Sequence, residues 1–193
     1  LYALGRGPRP LAFIEDIGLP VDELPRFVTG VQDLLQRFET TASFLIHALT
    51  GQIHIRPFLD LSNPADAAKM WPLAQRVYEK VLSLGGTVSS QHGTGMSRTP
   101  WVAEQYGPVA AVFRELKAVF DPHGILNPGK IVGPDPSRPS WPLRPVPEPG
   151  RVPLVLNWND GGREVEASRC NGCGDCRTES PRARMCPVFR VGP

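Results

Sequence analysis

Between Pro134 and Pro153 the chain places eight prolines in twenty residues, a density that no helix or central strand survives. Each proline fixes φ at about −65° and removes a backbone N–H, so the ladder bonds of either element cannot form there. The stretch has no apolar periodicity. It reads either as an extended polyproline-type linker that holds two modules at a set separation or as a surface tail lying along the first of them. The 193 residues therefore divide into a domain over 1–133, a linker over 134–153 and a small module over 154–193. A hydrophobic content of 41% is enough for a buried core in the first part. The chain begins at Leu1 rather than methionine and reads as an excerpt, so targeting signals cannot be judged from it.

Before the linker, the pattern predicts an α+β domain, an antiparallel sheet covered by helices. A strand is expected at 11–14. A helix over 22–38 carries Leu24, Phe27, Val28, Val31, Leu34, Leu35 and Phe38 at helical spacing, most simply as core. Strands at 43–49 and 52–59 follow, joined by a two-residue Thr50-Gly51 turn. A second long helix over 64–84 aligns Met70, Leu73, Val77, Val81 and Leu84 despite Pro72, and residues 88–90 could add a short strand. A third helix over 108–120 is opened by proline and striped by Val109, Val112, Phe113, Leu116, Val119 and Phe120. After the linker, residues 153–158 and 163–167 flank an Asn-Asp-Gly-Gly turn and form a hairpin leading to the cysteines.

All four cysteines lie in that last module, as Cys170-Asn-Gly-Cys173-Gly-Asp-Cys176, then Cys186-Pro187. Three thiols at successive three-residue steps let one glycine-loosened loop wrap a face of a 4Fe-4S cubane, and the proline turns the chain away after the last ligand. Structural zinc usually takes two separated knuckles, and cysteines three apart on one loop pair poorly as disulfides, so both fit this spacing less well. Cys186 either completes the same cluster or ligates a second one.

The formal net charge of +2 comes without a lysine and arginine stripe interleaved with aromatics, so no nucleic-acid partner is expected. No apolar run reaches about 18 residues, which excludes a spanning helix within the chain. A cytoplasmic location is expected, with peripheral contact at the inner face of the membrane left open.

Three histidines fall in segments poor in charge. With Thr50-Gly51 as the loop, His47 faces His54 directly across the ladder, their Cβ atoms roughly 4.5–5.5 Å apart. Such a pair can ligate one divalent metal, or can simply be two buried imidazoles bonded to backbone or water. His92 sits in Gln91-His92-Gly93-Thr94-Gly95, where it could take a proton from an alcohol near neutral pH or could cap a helix or touch solvent. His123 reads as a turn residue without chemistry.

The segment from Val119 to Ile131, with Phe-Asp-Pro-His-Gly-Ile-Leu-Asn-Pro-Gly-Lys at its centre, resembles the C-terminal signature of FAD-linked oxidases related to D-lactate, glycolate and D-2-hydroxyglutarate dehydrogenases. Gln91 to Gly95 resembles the Glu-His-Gly-x-Gly loop of that family. Residues 47–56 resemble its strand-turn-strand segment, and 170–187 resembles the ferredoxin-type extension of one bacterial branch. The resemblance implies the later part of a cap over a flavin, with a separate N-terminal FAD-binding domain missing from this chain. It also implies roles for particular residues. His47, His54 and Gln91 would bind a divalent metal such as zinc, and His92 would be the catalytic base. Arg56 would hold the carboxylate of a 2-hydroxycarboxylate substrate, and Asn127, Gly129 and Lys130 would lie at the flavin boundary. Electrons would pass from FAD to the iron–sulfur cluster and on to a protein or quinone acceptor. Gln91 departs from the family's glutamate. A neutral amide removes one negative charge and lowers affinity for a divalent ion. The competing reading is a non-catalytic electron-transfer or scaffold subunit with a degenerate cap, and a zinc-binding interaction module is the third.

Overall fold

The computed structural model describes residues 7–61 and 63–132. The proline-rich stretch, the expected hairpin beyond it and the four cysteines lie outside the described residues, as does any test of the boundaries drawn there. What is described belongs to one unit of the chain, Gly7–Pro145.

Strand β4 (Gln52–Leu59) organises the sheet. Strand β3 (Ala42–His47) runs antiparallel along one edge, and β2 (Ile14–Gly18) along the other, while the short β1 (Arg9–Pro10) continues past β2 against Phe58 and Leu59. Alternation along β4 sorts its side chains onto two faces. Ile53 and Ile55, both wholly buried, join Ile14 and Ile17 beneath the helices. Gln52, His54 and Arg56 take the opposite face.

Helix α1 (Leu24–Arg37) buries Leu24, Phe27, Val31 and Leu35, a stripe at three- and four-residue steps. Helix α2 (Pro64–Ser83) starts where the Asn63 side chain accepts from the Ala65 N–H at 3.0 Å. It buries Met70, Leu73, Ala74, Val77, Tyr78 and Val81 and carries Pro72 inside. The Tyr78 hydroxyl donates to the Phe13 carbonyl at 3.2 Å, so even this deep polar group is satisfied. Helices α3 (Gly95–Tyr106) and α4 (Val109–Phe120) follow. The α+β class and the antiparallel sheet under helices are as the pattern predicted.

Two expectations are corrected, and two further features went beyond the reading of the sequence. The hairpin loop is Ala48–Gly51, not Thr50-Gly51 alone, and His47 pairs with Gln52 while Leu45 pairs with His54. Because this moves the pairing by two residues, an even step, every side chain keeps its face. Second, the strand expected at 11–14 starts instead at Ile14, and residues 88–90 form no strand; only Gly18 and Thr87 make an isolated bridge. Third, α3 was not foreseen: Pro100 lies within it, and its buried residues Arg98, Thr99, Trp101 and Val102 are nearly contiguous, so no helical period shows. Fourth, the apolar stripe of α4 does not enter this core. Ala110 alone is buried in that helix, and Val119 and Phe120 are 73% and 80% exposed.

Candidate functional site

Between Ile14 and Ile17 the β2 register slips: Ile14 pairs with Ile55 and Ile17 with Ile53, three residues against two. This is a β-bulge, and its extra residue, Asp16, lies in the left-handed region at φ 66°. Aspartate tolerates that conformation better than most side chains. The bulge matters because it turns two successive acidic residues, Glu15 and Asp16, away from an otherwise apolar strand and toward the polar face of β4.

Asp16 is completely buried and is the anchor of the histidine loop. Its carboxylate accepts from the backbone N–H groups of Ser90, Gln91 and His92 at 3.0, 2.8 and 2.9 Å. The hydroxyls of Ser89 and Ser90 donate at 2.9 and 2.8 Å, and the Gln52 amide at 3.2 Å. Arg98, from α3, stands 3.8 Å away and donates onward to the carbonyls of Glu15 and Gly93. Burial alone would push the Asp16 carboxyl up, but the Gln91 and His92 N–H groups and the two serine hydroxyls outweigh it and hold the group well below the usual carboxylate range. The charge is thus a permanent feature at neutral pH.

The anchored loop brings His92 over His54. Their rings stack with centroids 5.1 Å apart, and His47 meets His54 edge-on at 5.8 Å. His54 is 6% exposed, and its Nδ1 is buried with no hydrogen-bond partner. Burial pushes His54 below the ordinary histidine value; the Glu15 charge opposes that, while the His92 and His47 rings add to it. A neutral imidazole with a lone pair to offer is the consequence.

Glu15 ties the pieces together. One carboxylate oxygen, Oε1, accepts from Arg56 Nε and Nη2 at 3.0 and 2.7 Å, and the other, Oε2, lies 3.9 Å from His92 Nδ1. One ligand atom from each of Glu15, His54 and His92 falls within 4.8 Å of the others, the one such convergence of histidine, cysteine and acidic donors found among the described residues.

The expected site residues thus divide by place. His54, Arg56 and His92 are together, with His47 at the margin and outside the convergent trio. Gln91 is exposed and is fixed through its backbone N–H. Asn127, Gly129 and Lys130 share a separate turn, in which Lys130 Nζ donates to the Asn127 side chain at 3.1 Å and Asn127 and Gly129 both have positive φ. The reading of the sequence missed Glu15, Asp16 and Arg98. A signal was present: Glu-Asp in the middle of Phe-Ile-x-x-Ile-Gly puts two adjacent charges where strict alternation allows one outward position, which itself calls for a bulge.

Residues 1–131 match the family described as FAD linked oxidases, C-terminal domain. The chain belongs to that family. Among curated proteins, this FAD-linked oxidase domain is 32% identical over 187 residues to the D-2-hydroxyglutarate dehydrogenase of Pseudomonas putida, a match covering 95% of the chain and 18% of the relative. It is 29% identical over 190 residues to the protein of the same name from Escherichia coli, with 95% and 18% covered. Against the glycolate oxidase subunit GlcD of Bacillus subtilis it is 29% identical over 136 residues, with 70% and 29% covered. The chain therefore spans about a fifth of the length of the first two relatives. At 95% coverage those alignments run past the family match at residue 131 and into the cysteine segment. The family is one of flavin-linked oxidoreductases and implies FAD. No described helix is long and apolar enough to cross a membrane.

Proposed function

We propose that this chain supplies the substrate-facing part of a flavin-dependent dehydrogenase that converts a D-2-hydroxyacid to a 2-oxoacid. The observation that carries the reading is the convergence of His54, His92, Glu15 and Arg56 on one face, with the His92 backbone fixed by a buried charge. Arg56 would hold the substrate carboxylate, since its guanidinium carries several donors in a plane that matches a carboxylate and can keep Glu15 at the same time. His92, whose side chain is 52% exposed, would take the hydroxyl proton, and the nearby Glu15 carboxylate would stabilise the imidazolium that results. His54 walls the site and packs against the base. When bound, the flavin supplies a two-electron acceptor for the hydrogen on the substrate carbon.

The turn at Asn127, Gly129 and Lys130 offers an amide, backbone groups and an ammonium, donor chemistry suited to the carbonyl and phosphate oxygens of a flavin nucleotide, so these residues would line the cofactor's edge. Cys170, Cys173, Cys176 and Cys186 would hold a 4Fe-4S cluster, whose chemistry is single-electron transfer to a protein or quinone acceptor. The spacing of the cysteines and the reach of the D-2-hydroxyglutarate dehydrogenase alignments support this part. His47, His54 and Gln91 are the donors the sequence pattern proposes for a zinc-type metal, and none of the steps above depends on one.

The test is the visible spectrum of the anaerobically purified protein before and after addition of D- and L-2-hydroxyacids. Bleaching of the flavin by a D-2-hydroxyacid, followed by loss of the broad iron–sulfur absorption, is the expected result. A bound flavin that no hydroxyacid bleaches would overturn the catalytic reading and favour a non-catalytic electron-transfer or scaffold subunit, which the neutral Gln91 supports.

A further inference from the structure

We propose that Thr99 is a positioning residue: its single hydroxyl ties the loop that carries His92 to the turn at Asn127, Gly129 and Lys130, and so keeps base and flavin edge in register. Resting on the reading of His92 as the base and of that turn as the flavin's edge, this assignment names the side chain that couples the two.

Thr99 lies one turn into α3 and is 3% exposed. Its Oγ1 donates to the Gly95 carbonyl at 2.7 Å and accepts from the Ile131 N–H at 2.9 Å. The first bond is ordinary, since a helical threonine commonly returns its hydroxyl to the carbonyl four residues back, as Thr29 does to Pro25 at 3.0 Å. The second is not. It spans 32 residues of chain and uses the acceptor side of a hydroxyl already engaged as a donor.

Both ends of this bridge are backbone groups of the two segments. Gly95 closes the His92 loop, and the neighbouring Arg98 donates to the Gly93 carbonyl, so successive residues of α3 grip the loop after His92 while Asp16 holds it before and at His92. At the other end, Ile131 has φ 66°. A β-branched residue is costly in that left-handed region and persists there only where its surroundings fix the backbone. The start of the turn is secured by Asp121, whose carboxylate accepts from the N–H groups of Ile125 and Leu126 at 2.9 and 2.8 Å. From Asn127 onward the hydrogen bonds among the described residues are local, Lys130 to Asn127 and Val132 to Lys130, apart from the one to Thr99. Proton abstraction and hydrogen transfer to the flavin act on one substrate, so a shift between the two supports separates groups that must act together.

The experiment compares the full-length, flavin-loaded protein with Thr99→Val, which keeps the shape but neither donates nor accepts, and Thr99→Ser, which keeps the hydroxyl. Thr99→Ala serves if Thr99→Val does not fold. Hydrogen exchange followed by mass spectrometry should quicken in both the His92 loop and the segment 127–132 of Thr99→Val, stay near native in Thr99→Ser, and be unchanged there in Thr29→Val. At saturating D-2-hydroxyacid, flavin reduction in Thr99→Val should slow about ten- to a hundredfold, while the half-saturating substrate concentration changes less than about twofold. Thr99→Ser should recover the rate to within about threefold of native. Native exchange in both segments of Thr99→Val would overturn the bridge. Faster exchange with a native reduction rate, or Thr99→Ser as slow as Thr99→Val, would overturn the positioning role. The exchange measurement needs no substrate and so stands apart from hydroxyacid oxidation. If no hydroxyacid reduces the native flavin, the functional reading fails, and the visible circular dichroism of the bound flavin decides the coupling: a band altered in Thr99→Val and restored in Thr99→Ser supports it, and an unaltered band overturns it.

Discussion

Asp16 concentrates more of the site's order than any of the histidines it serves. A buried carboxylate that accepts three backbone N–H groups and three side-chain donors converts a glycine-containing loop into a fixed frame. Replacing it with asparagine keeps the volume but removes the charge and turns an amide group toward N–H donors. We expect Asp16→Asn to lose about 3–5 kcal/mol of stability at pH 7, measured by chemical denaturation. The pH dependence follows from the depressed carboxyl. A group whose folded value lies below its unfolded one stabilises the fold above the unfolded value and gives that stability up as pH falls toward the folded value. The native protein should thus lose Asp16's contribution progressively below about pH 4, near the ordinary aspartate value, and Asp16→Asn should lack that component. None of this was legible from composition. Aspartate inside an apolar strand announces an exception, but only the bulge and the returning loop, some seventy residues later, reveal its partners.

At the scale of elements, the histidine face depends on the β3–β4 hairpin closing tightly against the chain that leaves β2. Gly51 sits there at φ 71°, and a Cβ on it would lie 1.9 Å from the Leu19 carbonyl oxygen. The Leu19 N–H donates to the Gly51 carbonyl at 2.8 Å. Gly51→Ala should therefore cost about 2 kcal/mol or more, from the left-handed backbone plus the displaced contact, and lower the melting temperature measurably. The sequence placed β4, α1 and α2 nearly to the residue because each carries an unbroken two- or three-to-four-residue period. It misplaced the hairpin register, since a Thr-Gly pair satisfies two- and four-residue loops alike, and β2, whose period the bulge interrupts. The histidines still shared a face, because the error was an even number of residues. The α4 stripe teaches a related lesson: a helical period says that one face avoids water, and does not say which surface covers it.

Across the described residues, the apolar core and the histidine cluster lie on opposite faces of one sheet. Ile53 and Ile55 face the helices while His54 and Arg56, alternating with them, face the loop. Leu73, wholly buried on α2, belongs to the first of these sides. Leu73→Ala should destabilise the fold by about 2–5 kcal/mol yet leave the rate of flavin reduction per folded molecule unchanged, a separation checked by pairing denaturation with single-turnover kinetics. Family membership was legible in the motifs at the histidine loop and the segment ending at Ile131. The carboxylates that organise those motifs were not, because their partners are assembled only in three dimensions. The claim on which the functional account rests is that His92 accepts the substrate proton. Its most direct test is anaerobic rapid-mixing of saturating D-2-hydroxyacid with native protein and with His92→Asn, following flavin absorbance. The account predicts that the variant binds substrate but reduces the flavin about 10²–10⁴-fold more slowly. Reduction at the native rate would contradict it and move the base elsewhere.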